Sequence, residues 1–146
     1  MNIIKTALSQ YGVKETIGSK DHPQIINYFN TLGFDGAKLH DETAWCSAFA
    51  NWVAKTVGYE HSGKLTARSW LAVGESTSTP EVGDVVVFWR ESPSSWKGHV
   101  GFFVKQTNRY VYVLGGNQNN SVCIKAYLKT RVLDYKKLNK LQIKNK

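Results

Sequence analysis

Three residues in this sequence have the types and settings that nucleophilic chemistry needs. Cys46 stands in Asp41-Glu42-Thr43-Ala44-Trp45-Cys46-Ser47-Ala48-Phe49-Ala50-Asn51-Trp52, where polar residues give way to an apolar run rich in small side chains. That change reads as a helix start, with Thr43 as N-cap and Cys46 at the third helical position. Unpaired amides and the helix dipole favour a thiolate there. The same amides suit the oxyanion of an acyl transfer. A thiol nucleophile needs a base, usually histidine. His99 opens a strand in Gly98-His99-Val100-Gly101, a place from which a ring can be aimed at a helix terminus. His61 has no special setting, and His22 and His40 read as surface or capping residues. The base in turn needs an orienter. A reversal centred near residues 107–108 makes antiparallel partners sum to about 215, so His99 faces roughly residue 116. Asn117 is one step away and is the expected orienter, with Gln118 as the spare. Each of these residues also has an ordinary structural reading. Cys123, inside a strand pattern, keeps it, as a small hydrophobe.

The elements that must hold these residues are legible in outline. Ile3, Ile4, Ala7, Leu8 and Tyr11 have helical spacing over residues 2–11. Asp21-His22-Pro23 opens a second helix, with proline tolerated in its first turn, and Gly33 closes it. The third helix spans about Ala44 to Thr56, and a short fourth covers Thr66–Val73. After the turn Pro80-Glu81-Val82-Gly83-Asp84 come strands at 85–89, 99–104, 110–114, 122–127 and 132–135. The polar loop Arg90 to Gly98 separates the first two. Helices first and an antiparallel meander second make an α+β fold, not a doubly wound one.

The 146 residues suit one domain. We place it at 1–135, with a basic tail at 136–146. Hydrophobic residues at 42% and charged residues at 21% are an ordinary globular mixture. The formal charge of +8 raises nucleic acid and anionic cell surfaces as partners. A nucleic-acid groove has no support beyond charge, so no nucleic acid is expected. Two cysteines do not describe a stapled secreted scaffold. The first residues lack the apolar stretch of a signal peptide. No run reaches the roughly 18–20 apolar residues of a membrane span. The expectation is a monomer made soluble in the cytoplasm, for which any action elsewhere needs another route out. The four histidines form no zinc motif, and no metal or other cofactor is expected.

The block from Asp41 to Trp52 resembles the nucleophile block of NlpC/P60-type and CHAP-type cell-wall cysteine hydrolases, and most of all a compact phage and prophage (endolysin-like) subgroup. Ala67-Arg68-Ser69-Trp70-Leu71, Pro80 through Phe88, Gly98-His99-Val100-Gly101-Phe102 and Val113 through Val122 also match, so the likeness extends from residue 5 to residue 135. Ala44 stands where proline is common in the subgroup. The resemblance implies a papain-like fold with a nucleophile helix packed on a small antiparallel sheet. It implies Cys46 as nucleophile, His99 as base and then acid, and Asn117 as orienter. It implies bacterial peptidoglycan as substrate, cut at an amide of the stem peptide or cross-link or, alternatively, at the muramic acid–stem amide. The candidate substrate contacts are Glu42, Trp45, Arg68, Trp89, Trp96 and Gln118. Glu42 is expected either to take an amine of the stem or to pair with Arg68, and Trp89 and Trp96 to wall the groove. Anionic wall polymers are a further possible partner. The rival of another class is an inactive wall-binding module, which fits the charge but not the Cys–His–Asn set.

Overall fold

The computed structural model describes residues 2–15, 23–33 and 45–141. Glu42, with Asp41, Thr43, Ala44, His22 and His40, lies outside them. Helix α1 spans Ile3–Leu8, capped by the Asn2 side chain, which accepts from the Lys5 amide at 2.8 Å. Helix α2 spans Pro23–Thr31 and α3 Cys46–Thr56. The expected fourth helix is a 3-10 helix, Ala67–Ala72. Six strands follow: β1 Glu75–Ser76, β2 Val85–Trp89, β3 Gly98–Gln106, β4 Tyr110–Gln118, β5 Ser121–Leu128 and β6 Val132–Lys137.

The strands form one antiparallel sheet in the order β1-β6-β2-β3-β4-β5. The expected meander holds from β2 to β5. It then breaks, because β6 leaves β5 and pairs with β2 on the other side. Strand alternation divides two cores. Val85, Val87, Val100, Phe102 and Leu114 face the helices and pack with Phe49, Val53, Trp45 and Trp70. Val86, Phe88, Phe103, Val111 and Val113 face the other way and meet Tyr127, Val132 and Tyr135. β2 and β5 lie three strand spacings apart, roughly 14 Å in a flat sheet. The rings of Phe88 and Tyr127 nevertheless approach to 4.7 Å. The sheet is therefore curled around this second core, with α3 on its convex face.

Helix α3 is held by polar as well as apolar contacts. Ser47 Oγ donates to the Lys64 carbonyl at 2.6 Å and accepts from Trp70 Nε1 at 3.0 Å. Asn51 bonds the carbonyl of Ser47 and accepts from the Gly63 amide. These bonds satisfy groups that burial would otherwise leave unpaired.

The expected boundary at 135 is corrected. Lys136 and Lys137 pair with β1, Leu138 is buried, and the Leu141 amide donates to the Gly58 carbonyl. The alternating pattern ends near Tyr135, so the lysines after it read as tail. In the fold Lys137 Nζ reaches Glu81 at 3.0 Å and the buried Asp84 at 3.3 Å. Among the described residues no helix is long and apolar enough to cross a membrane.

Candidate active site

Cys46 is the first residue of α3, with Trp45 as its N-cap and no side-chain capping bond. The expected third position is thus corrected to the first. Both positions belong to the turn whose amides have no intrahelical partner. The sulfur is buried. Burial pushes the thiol above its ordinary value, while backbone groups of Val100, Ser47 and Cys46 and the charge of Arg90 pull it back.

His99 lies near the start of β3, opposite Phe88 of β2. Its ring lies against Phe88, with centroids 6.0 Å apart, and against Tyr127 at 5.1 Å. This apolar enclosure lowers the imidazole to about 4. The Gln118 hydrogen bond opposes the shift, and the charges of Arg90 and Lys125 add to it.

The hydrogen-bond partner of His99 is Gln118, not Asn117: His99 Nε2 lies 2.9 Å from Gln118 Oε1. A β-bulge explains this correction. Gly115 pairs with Cys123 and Gln118 with Ser121, so Gly116 and Asn117 together stand opposite Val122. Asn117 takes the extra place with φ of 59°. The bulge resets the alternation by one residue and turns Gln118 to the face that simple pairing gives Asn117. Gly115 makes the space, since a Cβ there would lie 2.7 Å from Gln118 Oε1. Asn119 and Asn120, both with positive φ, then form the two-residue turn into β5.

The Gln118 amide also sets the histidine tautomer. Its Nε2 donates to the carbonyls of Cys123 at 2.6 Å and Val113 at 3.3 Å. Its oxygen must then face His99, where it accepts from an Nε2–H. Nδ1 is left as the basic nitrogen.

Cys46, His99 and Asn117 share one cavity of about 370 Å³ with Phe88, Trp89, Arg90, Asn120, Lys125, Tyr127 and Arg131. The cavity gathers the end of β2, the start of β3 and the hairpin between β4 and β5. Trp89 lines the cavity, and its indole donates to the Thr130 carbonyl at 3.1 Å. Glu42 apart, which lies outside the described residues, the other expected contacts are placed differently. Trp45 is buried in the core, its Nε1 donating to Glu15 at 2.6 Å. Gln118 is buried behind His99. Trp96 is 71% exposed and is not among the residues lining the cavity. Arg68 donates to three carbonyls, those of Lys97, Pro93 and Ser92, and so holds the loop between β2 and β3. Arg90, Lys125, Tyr127 and Arg131 escaped the sequence reading. The curl of the sheet brings them in, and strand alternation alone carries no signal of it.

A buried thiol at a helix start shares a cavity with an imidazole of fixed tautomer, on helices packed against an antiparallel sheet. This defines a cysteine hydrolase of papain-like α+β architecture. The chain belongs to the CHAP domain family, which matches it over residues 38–117. Membership makes it a cysteine-dependent cell-wall hydrolase. No curated protein matches the chain.

Proposed function

We propose that Cys46 is the nucleophile, His99 the general base and then acid, and Gln118 the orienter, in an enzyme that cuts an amide of the peptidoglycan stem peptide or cross-link. The observation that carries the reading is the His99–Gln118 bond in the wall of the cavity that Cys46 lines. Burial favours neutral thiol and neutral imidazole at rest. The proton therefore leaves Cys46 for His99 Nδ1 as sulfur attacks the carbonyl carbon. The resulting oxyanion is held by the Cys46 amide. His99 returns the proton to the departing amine as the C–N bond breaks. Water, deprotonated by His99, then attacks the thioester, and Cys46 leaves as the thiol with the acid as product.

The blocks quoted above support a role of the phage-lysin type, with synthesis in a host cell and action at the wall after release. Digestion of purified peptidoglycan with mass analysis of the fragments tests the reading. Shortened stems or opened cross-links are expected. Muramic acid ends freed of intact stems would assign the enzyme as an amidase instead. Cys46→Ala is expected to release nothing; products equal to wild type would overturn the catalytic assignment.

A further inference from the structure

The charge of the cavity bears on which substrates enter it, given the catalytic reading above. Arg90, Lys125 and Arg131 line the cavity together, and among the described residues none that lines it is acidic. They come from three places: the residue after β2, the middle of β5, and the 3-10 turn Lys129–Arg131. Among the described residues, the ion pairs join Lys97 to Glu91, Lys136 to Asp134, and Lys137 to Glu81 and Asp84. None engages the three cavity cations. Glu91 adjoins Arg90 in sequence, but its carboxylate is bound to Lys97 at 2.7 Å and only secondarily feels Arg90. Aromatic walls back two of the cations. The Arg131 guanidinium sits 5.0 Å from the Trp89 ring centre, and the Lys125 ammonium 5.4 Å from that of Tyr127. Such faces position a cation without neutralising it. Three like charges around one concavity repel each other until an anion enters.

We propose that this cavity binds a carboxylate of the substrate beside the scissile amide, with Arg90, Lys125 and Arg131 as its counter-charges. The enzyme then selects stem peptides with free carboxylates over the same peptides bearing carboxamides. The overall charge of +8 attracts any polyanion from a distance. The cavity cations act on contact, where a charge-assisted hydrogen bond discriminates between an anion and its neutral isostere.

The test uses peptidoglycan freed of phosphate-bearing polymers and divided in two. One half keeps its free carboxyl groups, and the other has them converted to carboxamides with carbodiimide and ammonium. Initial rates of amine release are measured for the wild type, for Lys125→Met with Arg131→Met, and for Lys5→Met with Lys64→Met. Lys5 and Lys64 are exposed and outside the cavity. The wild type is expected to cut the carboxylate form about tenfold faster or more. The cavity variant is expected to lose most of that preference, and the remote variant to keep it. Equal wild-type rates on the two substrates would overturn the carboxylate assignment, and so would a preference that survives in the cavity variant. Wild-type release no greater than that of Cys46→Ala on either substrate would overturn the hydrolase reading, and this proposal with it.

Discussion

Gln118 is the residue on which the site's geometry turns. A neutral amide cannot hold a histidine as a buried carboxylate does, so its orientation must come from its own donors, the carbonyls of Val113 and Cys123. Gln118→Leu removes the acceptor and frees the ring. Its turnover on peptidoglycan is expected to fall on the order of 100-fold, the lower range of what a placed acid–base group contributes. The acid limb of its pH–rate profile should shift as well, whereas Asn117→Ala should leave that limb in place. The pH dependence of stability follows from His99. Its imidazole is lowered from an ordinary 6.5 to about 4, among Cys46, Tyr127, Arg90 and Lys125. Between those values the unfolded chain binds the proton and the folded chain does not. This contribution to stability is therefore complete above pH 6.5 and is lost as pH falls toward 4. The interval corresponds to roughly 3 kcal/mol. Urea unfolding of wild type and His99→Asn at several pH values should show this slope only in the wild type. The same shift places the acid limb of the wild-type rate near pH 4.

Packing of α3 on β4 decides whether the thiol and the imidazole meet. Gly116 lies beneath the helix start: a Cβ there would stand 2.7 Å from Trp45 Cζ3 and 2.8 Å from Phe49 Cβ. Both neighbours are fully packed, Tyr28 being stacked on Trp45 and edge-on to Phe49. Gly116→Ala must therefore lift the helix or displace a ring. Overpacking of this kind costs about 1–3 kcal/mol. A lower urea midpoint is expected, together with a loss of activity larger than the stability change explains. Activity unchanged at a lowered midpoint would show that the helix start moves independently of the chemistry. The bulge at Gly116–Asn117 belongs to the same element. It lets β4 serve both faces, with Gly116 admitting the helix and Gln118 reaching His99.

The whole molecule is closed by β6, which joins the first strand of the sheet to the second. Leu138, just beyond it, is buried in the core shared by α1, α3 and the sheet. Leu138→Ala is expected to destabilise the fold by about 2–5 kcal/mol, read as the drop in unfolding free energy. A change within about 0.5 kcal/mol would mean that the chain end contributes no more than a surface residue. Closure by β6 also shapes the cavity. Val132 pairs with Phe88, so the turn before β6 delivers Arg131 to the rim. The two rings beside His99 come from strands that a flat sheet would keep apart.

Local patterning by itself determined the helices before the sheet, five of the six strands to within a few residues, and the thiol and imidazole as candidate partners. Helical spacing, strand alternation and turn chemistry are short-range properties, and each leaves its mark within a few residues. Register arithmetic also came close: Phe102 faces Leu114, a sum one larger than expected. The choice between Asn117 and Gln118 needed the bulge, because one inserted residue exchanges the faces of a strand, and its location depends on what packs on each side. Tertiary structure also decided that Trp45 and Arg68 serve the scaffold, since an indole or a guanidinium has the same type in either role. It decided, finally, that three cations distant in sequence share one cavity, because that follows from the curl of the sheet and the crossing of β6.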